Sequence, residues 1–241
     1  MPLAGLTKVR DSRTNPVDHW RTNVGSTLTI LDELADAQAG RVVLASTCAV
    51  YGEQAKQPIN ETAPVAPNSP YGKNKLAADQ AAADLATIGA IGAISLRAVN
   101  VAGAFPRHPD RDTTRLILQL LAVQQRRTPE PVINADGTAV RDFVHVADRA
   151  RAFALALRAC QPGSWRAYNV GSGHPSTVHD VLTTTEIVTG RLVPRRHIAA
   201  AREPPTLLAD STRIRSELGW RPHRSTLHEI IADAWSALTS Q

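Results

Sequence analysis

Two side chains that could act together on a proton, Tyr71 and Lys75, lie four residues apart in the sequence. In a helix, residues at this spacing project from the same face about one turn apart, so the ammonium group would lie close to the phenol. Ser69 is a suitable N-cap and Pro70 a suitable first residue, which would place Tyr71 at the positive end of the helix dipole. Both influences favour the phenolate, so the pattern predicts a tyrosine base with a pKa below the usual value of about 10.

The segment before this pair has the pattern of a buried strand that ends in hydroxyl groups. Residues 42–45 are continuously apolar and are followed by Ser46 and Thr47. A buried parallel strand reads this way, and open α/β sheets bind ligands at the carboxyl ends of their strands. We therefore expect Thr47 to hold a substrate near Tyr71. The competing interpretation of the Tyr-x-x-x-Lys pair is an ordinary solvated helix face.

Composition narrows the class of protein. With 241 residues, 43% of them hydrophobic, the chain can bury a sizeable core in one domain or one domain plus a small lobe. No apolar run approaches the ~20 residues that a membrane span needs, and the first residues lack the apolar core of a signal peptide, which predicts a cytoplasmic protein. Cys48 and Cys160 show neither metal-type spacing nor a disulfide framework, so no metal site is predicted.

The basic charge does not by itself predict a nucleic-acid partner. The net charge is +5, but the arginines are scattered and aromatic residues make up only 4% of the chain. Stacking platforms are therefore scarce, and the arginines do not form one basic arm. We expect some of this charge to face a diphosphate ligand, with a solvated surface as the alternative for the rest.

A series of short segments, taken together, resembles one family. They are Asn23–Thr27, Ser46–Gly52, Pro70–Leu76, Leu96–Ala104, Asp136–Val146, Asn169–Gly173 and Leu218–Pro222. In this order they are similar to the extended short-chain dehydrogenases/reductases, and within these to the UDP-glucose 4-epimerase family. The segments extend over nearly the whole chain, which makes the resemblance specific.

The resemblance implies an α/β fold: an N-terminally truncated Rossmann-type parallel sheet with a smaller α/β substrate-binding lobe. Residues 1–104 would belong to the Rossmann domain, with 142–170 returning to it, and residues 105–141 and 171–241 would form the sugar-nucleotide-binding lobe. Residues 1–9 resemble the end of the fourth strand of the family sheet. The Gly-x-x-Gly-x-x-Gly turn that precedes it in the family has no counterpart in the sequence. We therefore expect the chain to lack the NAD-phosphate-binding part.

The activity that the resemblance implies is NAD-dependent inversion of C4 of a UDP-hexose. Tyr71 would take the proton from O4, Lys75 would lower the pKa of that phenol and hold the nicotinamide ribose, and Thr47 would hydrogen-bond O4. The implied cofactor-binding residues are Asn23, Ser46, Tyr71 and Lys75. The implied substrate-binding residues are Thr47, Asn100, Arg141 and Arg202, the last being the arginine that is left of an Arg-x-Gly-Asp-Pro motif.

The sequence also bears on two alternatives to this activity. Sugar-nucleotide 4,6-dehydratases of this superfamily carry Thr-Asp-Glu where this chain has Thr47-Cys48-Ala49, so the acid and base of water elimination are missing. Thr114 stands where the family has a diphosphate-binding asparagine, which leaves the sugar preference open. The alternative is an inactive remnant or a sugar-nucleotide-binding module that has lost NAD binding.

Four further expectations concern other parts of the sequence. By resemblance, helices 16–39 and 70–88 would meet their copies in a homodimer. His145 would belong to a structural turn rather than act as a base. Residues 171–173, Gly-Ser-Gly before a helix, have a weak likeness to a phosphate loop, and Arg141 with Asp142 could be a surface ion pair.

Overall fold

The computed structural model describes residues 2–38, 40–106, 108–128, 130–134, 136–198 and 205–240, which group into two compact units. The first unit contains the residues up to Val99, with Arg151–Val170 and Ala209–Trp220. The second contains Asn100–Ala150, Gly171–Leu208 and the residues from Arg221 onwards.

The first unit combines a parallel sheet with helices. Its strands are β1 (Arg41–Thr47), β2 (Gly92–Ala98) and β6 (Trp165–Val170). Its helices are α1 (Val9–Thr14), α2 (Pro16–His19), α3 (Ser26–Asp36), α4 (Pro70–Thr87), α8 (Thr212–Leu218) and, from Arg151 onwards, α6 (Val146–Ala159).

The sheet of the first unit has the strand order β1-β2-β6, and both strand pairs are parallel. Every residue of β2 is buried, as is typical of a central parallel strand with helices on both faces of the sheet. Since all three strands run the same way, their carboxyl ends lie at one edge. The α/β fold with a Rossmann-type parallel sheet that the sequence predicts is confirmed.

Small residues let helix α4 lie close to this sheet. Ala78, Ala82 and Ala86 recur every four residues and are buried, so they form one face of the helix. Buried aliphatic residues form the core on this side of the sheet. They come from α3, α4, β1, β2 and the loop before β2: Leu31, Val42, Leu44, Ala82, Ala86, Ile91 and Ala93. This packing fixes α4 against the strand ends.

The helix predicted to begin at residue 16 is interrupted by a π-helical turn. Residues Trp20–Gly25 form this wider turn between α2 and α3. The hydroxyl of Thr27 donates to the carbonyl of Asn23 at 2.7 Å, and that of Thr29 donates to the carbonyl of Gly25 at 3.2 Å. Side-chain hydrogen bonds of this kind compete with the backbone ladder, and π-helical turns are common near functional sites.

The expected strand end at residues 1–9 is not formed in the described residues 2–8. Instead, α1 begins at Val9, and the backbone of Leu6 is bound by a side chain. Leu6 donates its N–H to Oδ1 of Asn23 at 2.8 Å and accepts from Nδ2 of Asn23 at 2.9 Å. The amide of Asn23 thus satisfies backbone groups that a neighbouring strand would otherwise bind.

The second unit is built around strand β5 (Val140–His145). It pairs in parallel with β3 (Asn100–Ala102) and β9 (Thr206–Leu207), and antiparallel with β7 (Pro175–Thr177). A separate parallel pair is formed by β4 (Val132–Asn134) and β8 (Arg196–Ile198). The helices α5 (Leu116–Gln124), α7 (Val178–Thr189) and α9 (Leu227–Thr239) supply most of its apolar core.

The boundaries of the two units differ from the prediction in three places. The second unit begins at Asn100 rather than at residue 105. β5 and the start of α6 belong to the second unit, because β5 is hydrogen-bonded to three other strands of that unit. Residues 209–220 belong to the first unit rather than to the substrate-binding lobe. Ala209 forms a β-bridge with Ile59, and Arg213 lies 3.7 Å from the carboxylate of Glu61. In the part of the chain that the structure describes, no helix has the length and apolar character to cross a membrane.

Candidate active site

The end of β1 presents the hydroxyl of Thr47 in a defined orientation. Thr47 is extended, with φ −151° and ψ 150°, and it caps a 3₁₀ turn over Cys48–Tyr51. Its Oγ1 accepts the N–H of Ala49 at 3.2 Å. Because this bond uses an oxygen lone pair, the hydroxyl proton of Thr47 remains available to a ligand.

The start of α4 is capped as the sequence predicts. Ser69 accepts the N–H of Gly72 at 3.1 Å, and Pro70 is the first helical residue. The backbone N–H of Tyr71 donates to the hydroxyl of Ser12, a fully buried residue of α1, at 3.1 Å. Tyr71 and Lys75 are both half-buried, and each has polar or electrostatic partners in the protein. The helix start is therefore fixed from two sides.

Helix α4 is attached to the segment after β1 at two points. At Gly72 the backbones approach so closely that a Cβ would lie 2.6 Å from the carbonyl oxygen of Ala49. Two turns later, the hydroxyl of Ser46 donates to Oδ2 of Asp79 at 3.0 Å. Tyr71, Lys75 and Asp79 share one helix face by their spacing. The predicted pair thus lies on the face that Asp79 attaches to the strand carrying Thr47.

A buried polar network joins Asp79 on this helix face to the sheet, and it was not predicted from the sequence. Arg97 of β2 donates from Nε to Asp79 and from Nη1 to the hydroxyl of Tyr51, both at 3.1 Å. Tyr51 in turn donates to Oδ1 of Asn169 at 2.8 Å. Burial raises the pKa of Tyr51 to about 12, against the lowering effect of Arg97. One signal was available: an arginine inside a largely apolar strand needs a buried partner.

Two of the predicted cofactor-binding residues use their polar groups inside the protein. Both polar atoms of the Asn23 amide are bonded to the backbone of Leu6, and the side chain of Asn23 is buried. Ser46 is 4% exposed and gives its proton to Asp79. A contact of either residue with a cofactor would therefore come from its backbone or from a remaining lone pair.

In the second unit, two of the predicted substrate-binding residues lie on neighbouring strands. Asn100 is exposed at the start of β3, and its Nδ2 donates to the carbonyl of Asp142 at 3.3 Å. Arg141, on β5, donates from Nη1 to its neighbour's carbonyl, Val140 O, at 2.9 Å. Arg202 lies outside the described residues.

The loop that resembles a phosphate loop binds an anion of the protein itself. Oδ1 of Asp142 accepts the N–H of Ser172 at 2.9 Å and its hydroxyl at 2.6 Å. Oδ2 of the same carboxylate accepts the N–H of Gly173 at 3.4 Å. Asp142 is fully buried, so the expected alternative of an Arg141/Asp142 surface pair is wrong. The likeness to a phosphate loop reflects an internal carboxylate.

His145 is a buried residue at the junction of β5 and α6. Its Nδ1 accepts the N–H of Ala147 at 3.0 Å, and its Nε2 lies 3.0 Å from Oδ2 of Asp233. Burial lowers the pKa of His145, although Asp233 acts in the opposite direction. A Cβ on Gly103 would lie 2.4 Å from the imidazole ring, which shows how tightly it is enclosed. These contacts agree with a turn residue.

The chain matches known proteins over most of its length. Residues 1–171 match the model of the NAD dependent epimerase/dehydratase family. The UDP-glucose 4-epimerase of Corynebacterium glutamicum is 36% identical over 248 residues, which cover 97% of this chain and 74% of that protein. The UDP-glucose 4-epimerase of Streptomyces lividans is 37% identical over 247 residues, covering 97% and 73%.

Solved structures show the same likeness. The UDP-glucose 4-epimerase of Stenotrophomonas maltophila, crystallised with NAD and formylated UDP-arabinopyranose, superposes with a TM-score of 0.91 at 29% identity. The superposition covers 99% of this chain and 75% of that one. On the family match and the identity to these relatives, the chain belongs to the NAD dependent epimerase/dehydratase family, whose cofactor is NAD.

Proposed function

We propose that this chain is a sugar-nucleotide 4-epimerase that inverts C4 of a UDP-hexose and interconverts UDP-glucose and UDP-galactose. One observation carries the proposal: α4 is attached at Gly72 and Asp79 to the segment that presents Thr47. Tyr71 directly precedes Gly72, and Lys75 lies between Gly72 and Asp79 on the same helix. The names of the relatives and the ligands of the similar structure support the substrate class.

The proposal assigns one role to each of three side chains, Tyr71, Lys75 and Thr47. Tyr71 takes the proton of the O4 hydroxyl while C4 is oxidised, and it returns a proton to O4 when C4 is reduced. The ammonium of Lys75, one turn further along the helix, favours the phenolate form of Tyr71. Thr47 uses its free proton to hydrogen-bond O4, because its oxygen already accepts from Ala49.

The residues present fit the nicotinamide end of NAD. The ammonium of Lys75 and the hydroxyl of Tyr71 are suitable partners for ribose hydroxyls, and they lie by the carboxyl ends of parallel strands, where such folds bind ligands. When bound, NAD supplies the hydride chemistry at C4. Asn23 and Ser46 would contribute through their backbones, since their side chains have internal partners.

Binding of the nucleotide diphosphate is assigned to the second unit. Arg141 offers a planar guanidinium fork, which suits a diphosphate, and Asn100 offers an exposed amide. Arg202 completes the proposed set. Because these contacts are to the diphosphate rather than to the hexose, they leave the sugar ring free to turn over.

A second candidate function is a sugar-nucleotide-binding module without NAD binding. It is favoured by the internal use of Asn23 and by strand β1, which pairs only with β2 among the described residues. Calorimetric titration of the chain with NAD and with UDP-glucose, each alone, separates the candidates. NAD binding together with conversion of UDP-glucose to UDP-galactose supports the epimerase, and UDP-glucose binding without NAD binding supports the module.

The catalytic assignment has its own control. Tyr71→Phe should abolish conversion, because it removes the proposed base. Tyr168→Phe should retain it, since the hydroxyl of Tyr168 donates to Glu217 in a different part of the first unit. Full conversion by Tyr71→Phe would contradict the proposed mechanism.

We also propose that a second copy of this chain packs against helices 16–39 and 70–88. Val17, Trp20 and Leu28 support this, because they expose 62%, 42% and 48% of their surface. Large apolar side chains grouped on one segment are typical of an interface. Light scattering should show a dimer that Trp20→Glu dissociates, whereas Ile187→Glu, an exposed position in the second unit, should leave it intact.

A further inference from the structure

Three polar residues form a row across the sheet of the first unit. In the strand register, Ser46 of β1 is paired with Arg97 of β2, and Arg97 is paired with Asn169 of β6. Residues paired in this way point to the same face of a sheet. The row lies in the carboxyl half of the strands, directly before the edge at which Thr47 ends β1.

Two further side chains join this row into one network. Asp79 of α4 accepts from both Ser46 and Arg97 through its Oδ2, at 3.0 Å and 3.1 Å. The hydroxyl of Tyr51 accepts from Arg97 at 3.1 Å and donates to Asn169 at 2.8 Å. The network therefore connects α4 and the turn after β1 to all three strands.

The network is buried and contains a complete ion pair. The side chains of Arg97 and Asp79 are 5% and 2% exposed. The guanidinium carbon of Arg97 also lies 5.1 Å from the centre of the Tyr51 ring, within the range of a cation–π contact. A buried charge left without its partner is strongly unfavourable, so Asp79 has little freedom to leave Arg97.

Asp79 continues the series of the proposed catalytic residues along the helix. Tyr71, Lys75 and Asp79 are separated by four residues each, and α4 is continuous through all of them. A helix is stiff over such a distance, so a fixed Asp79 fixes the rotation and the axial position of Lys75 and Tyr71. Through Ser46, the same carboxylate is attached to the residue before Thr47.

We propose that Asp79, paired with Arg97, is a positioning residue that holds Tyr71 and Lys75 in register with Thr47. The inference rests on the proposed function of Tyr71 as a base. It assigns Arg97 and Tyr51 to the same device, as the groups that hold Asp79.

The phenol of Tyr71 provides a readout that needs neither cofactor nor turnover. The sequence contains three tyrosines, Tyr51, Tyr71 and Tyr168. Burial raises the pKa of Tyr51 to about 12, and burial with Glu217 raises the pKa of Tyr168 further. Phenolate absorbance that appears at lower pH therefore reports Tyr71.

The decisive variant is Asp79→Asn, with Asp84→Asn as the matched control. Asp84 is an exposed carboxylate on the same helix, so its loss changes the charge of α4 but not the network. If Asp79 positions the pair, Asp79→Asn moves the Tyr71 titration to higher pH, by about half a unit or more, because Lys75 no longer supports the phenolate. If Asp79 acted only through its charge, removing that charge would move the titration to lower pH. Asp84→Asn should leave the titration in place.

Further variants keep the test conclusive. Tyr51→Phe retains both charges of the ion pair and removes only the hydroxyl that holds Arg97. It should therefore move the Tyr71 titration to higher pH by less than Asp79→Asn does. If Asp79→Asn does not fold, the Tyr71 titration in Tyr51→Phe tests the inference. If Tyr71 titrates at a lowered pH in the wild type and neither variant raises that pH, the positioning role of Asp79 is overturned, while the proposed base is not. A wild-type phenol that ionises at the ordinary value, about 10, and does not respond to Lys75→Met contradicts the proposed base and the inference with it.

Discussion

Gly72 and Ala49 approach each other so closely that a Cβ on Gly72 would lie 2.6 Å from the carbonyl oxygen of Ala49. The same Cβ would lie 2.9 Å from Cβ of Pro67. Both neighbours are rigid, so Gly72→Ala should push the start of α4 away from the turn after β1. We expect a loss of about 1–3 kcal/mol in the free energy of unfolding, as for other overpacked sites, measured by urea denaturation.

Gly25→Ala is the control for this substitution. Gly25 is an exposed helical residue with no atom within 4 Å of its Cβ position. Replacing a helical glycine by alanine usually stabilises by about 0.5–1 kcal/mol. Equal effects of the two substitutions would show that the contact between Gly72 and Ala49 does not limit the position of α4.

The local elements of the site could be predicted from the sequence because local rules define them. Ser69, Pro70 and the four-residue spacing of Tyr71 and Lys75 predicted a capped helix, and α4 begins at Pro70. The apolar run before Ser46 predicted β1. In each case the neighbours in sequence supply the interactions that decide the structure.

The partners of polar side chains could not be predicted in the same way, because they come from distant parts of the chain. Asp79 is joined to Ser46 across 33 residues, and Tyr51 to Asn169 across 118. The Gly-Ser-Gly loop is an example: the sequence shows a weak likeness to a phosphate loop, but it does not show that Asp142, 30 residues away, supplies the anion that the loop binds. Sequence indicated that a buried or anionic partner was needed, but not which residue supplied it.

Asn23→Asp should weaken the attachment of residues 2–8 to the helical segment that carries residue 23. Aspartate has nearly the shape of asparagine and can still accept the N–H of Leu6, but it replaces the donor to the Leu6 carbonyl with a second oxygen. Two oxygens would then face each other in a buried site, at a cost of about 1–3 kcal/mol. Hydrogen exchange of the Leu6 amide measures the effect. Unchanged protection would show that residues 2–8 are held by other contacts.

Asp142→Asn should destabilise the second unit. The substitution places an amide N–H₂ opposite one of the backbone or hydroxyl donors of Ser172 and Gly173, so one donor in a buried site loses its acceptor. We expect a loss of about 1–3 kcal/mol in the free energy of unfolding, measured by thermal denaturation. Asp136→Asn is the matched control, because exposed Asp136 accepts from Thr138 through Oδ1 alone, which an amide oxygen can replace. Equal losses would count against an anion-binding role of the loop.

His145 should make the stability of the second unit depend on pH near neutrality. Its ring is enclosed, with Asp233, Arg224 and Asp148 as the charged groups that act on it, and burial has the largest effect on its pKa, which it lowers. The folded state therefore favours the neutral imidazole. Because Nδ1 accepts from Ala147, the proton of this neutral form is on Nε2, facing Asp233.

The sign of the effect follows from proton linkage. Below the unfolded pKa of about 6.5, the unfolded chain binds more protons at this residue than the folded chain, so the free energy of unfolding falls as the pH falls. The contribution of His145 to the free energy of unfolding is complete above about pH 6.5. It is lost as the pH falls toward the lower pKa that His145 has in the folded state. Urea denaturation at pH values above and below this window should show a smaller loss for His145→Asn, whose amide oxygen can still accept from Ala147, than for the wild type. A pH dependence of the same size in both proteins would mean that His145 has the same proton affinity in the folded and unfolded chain.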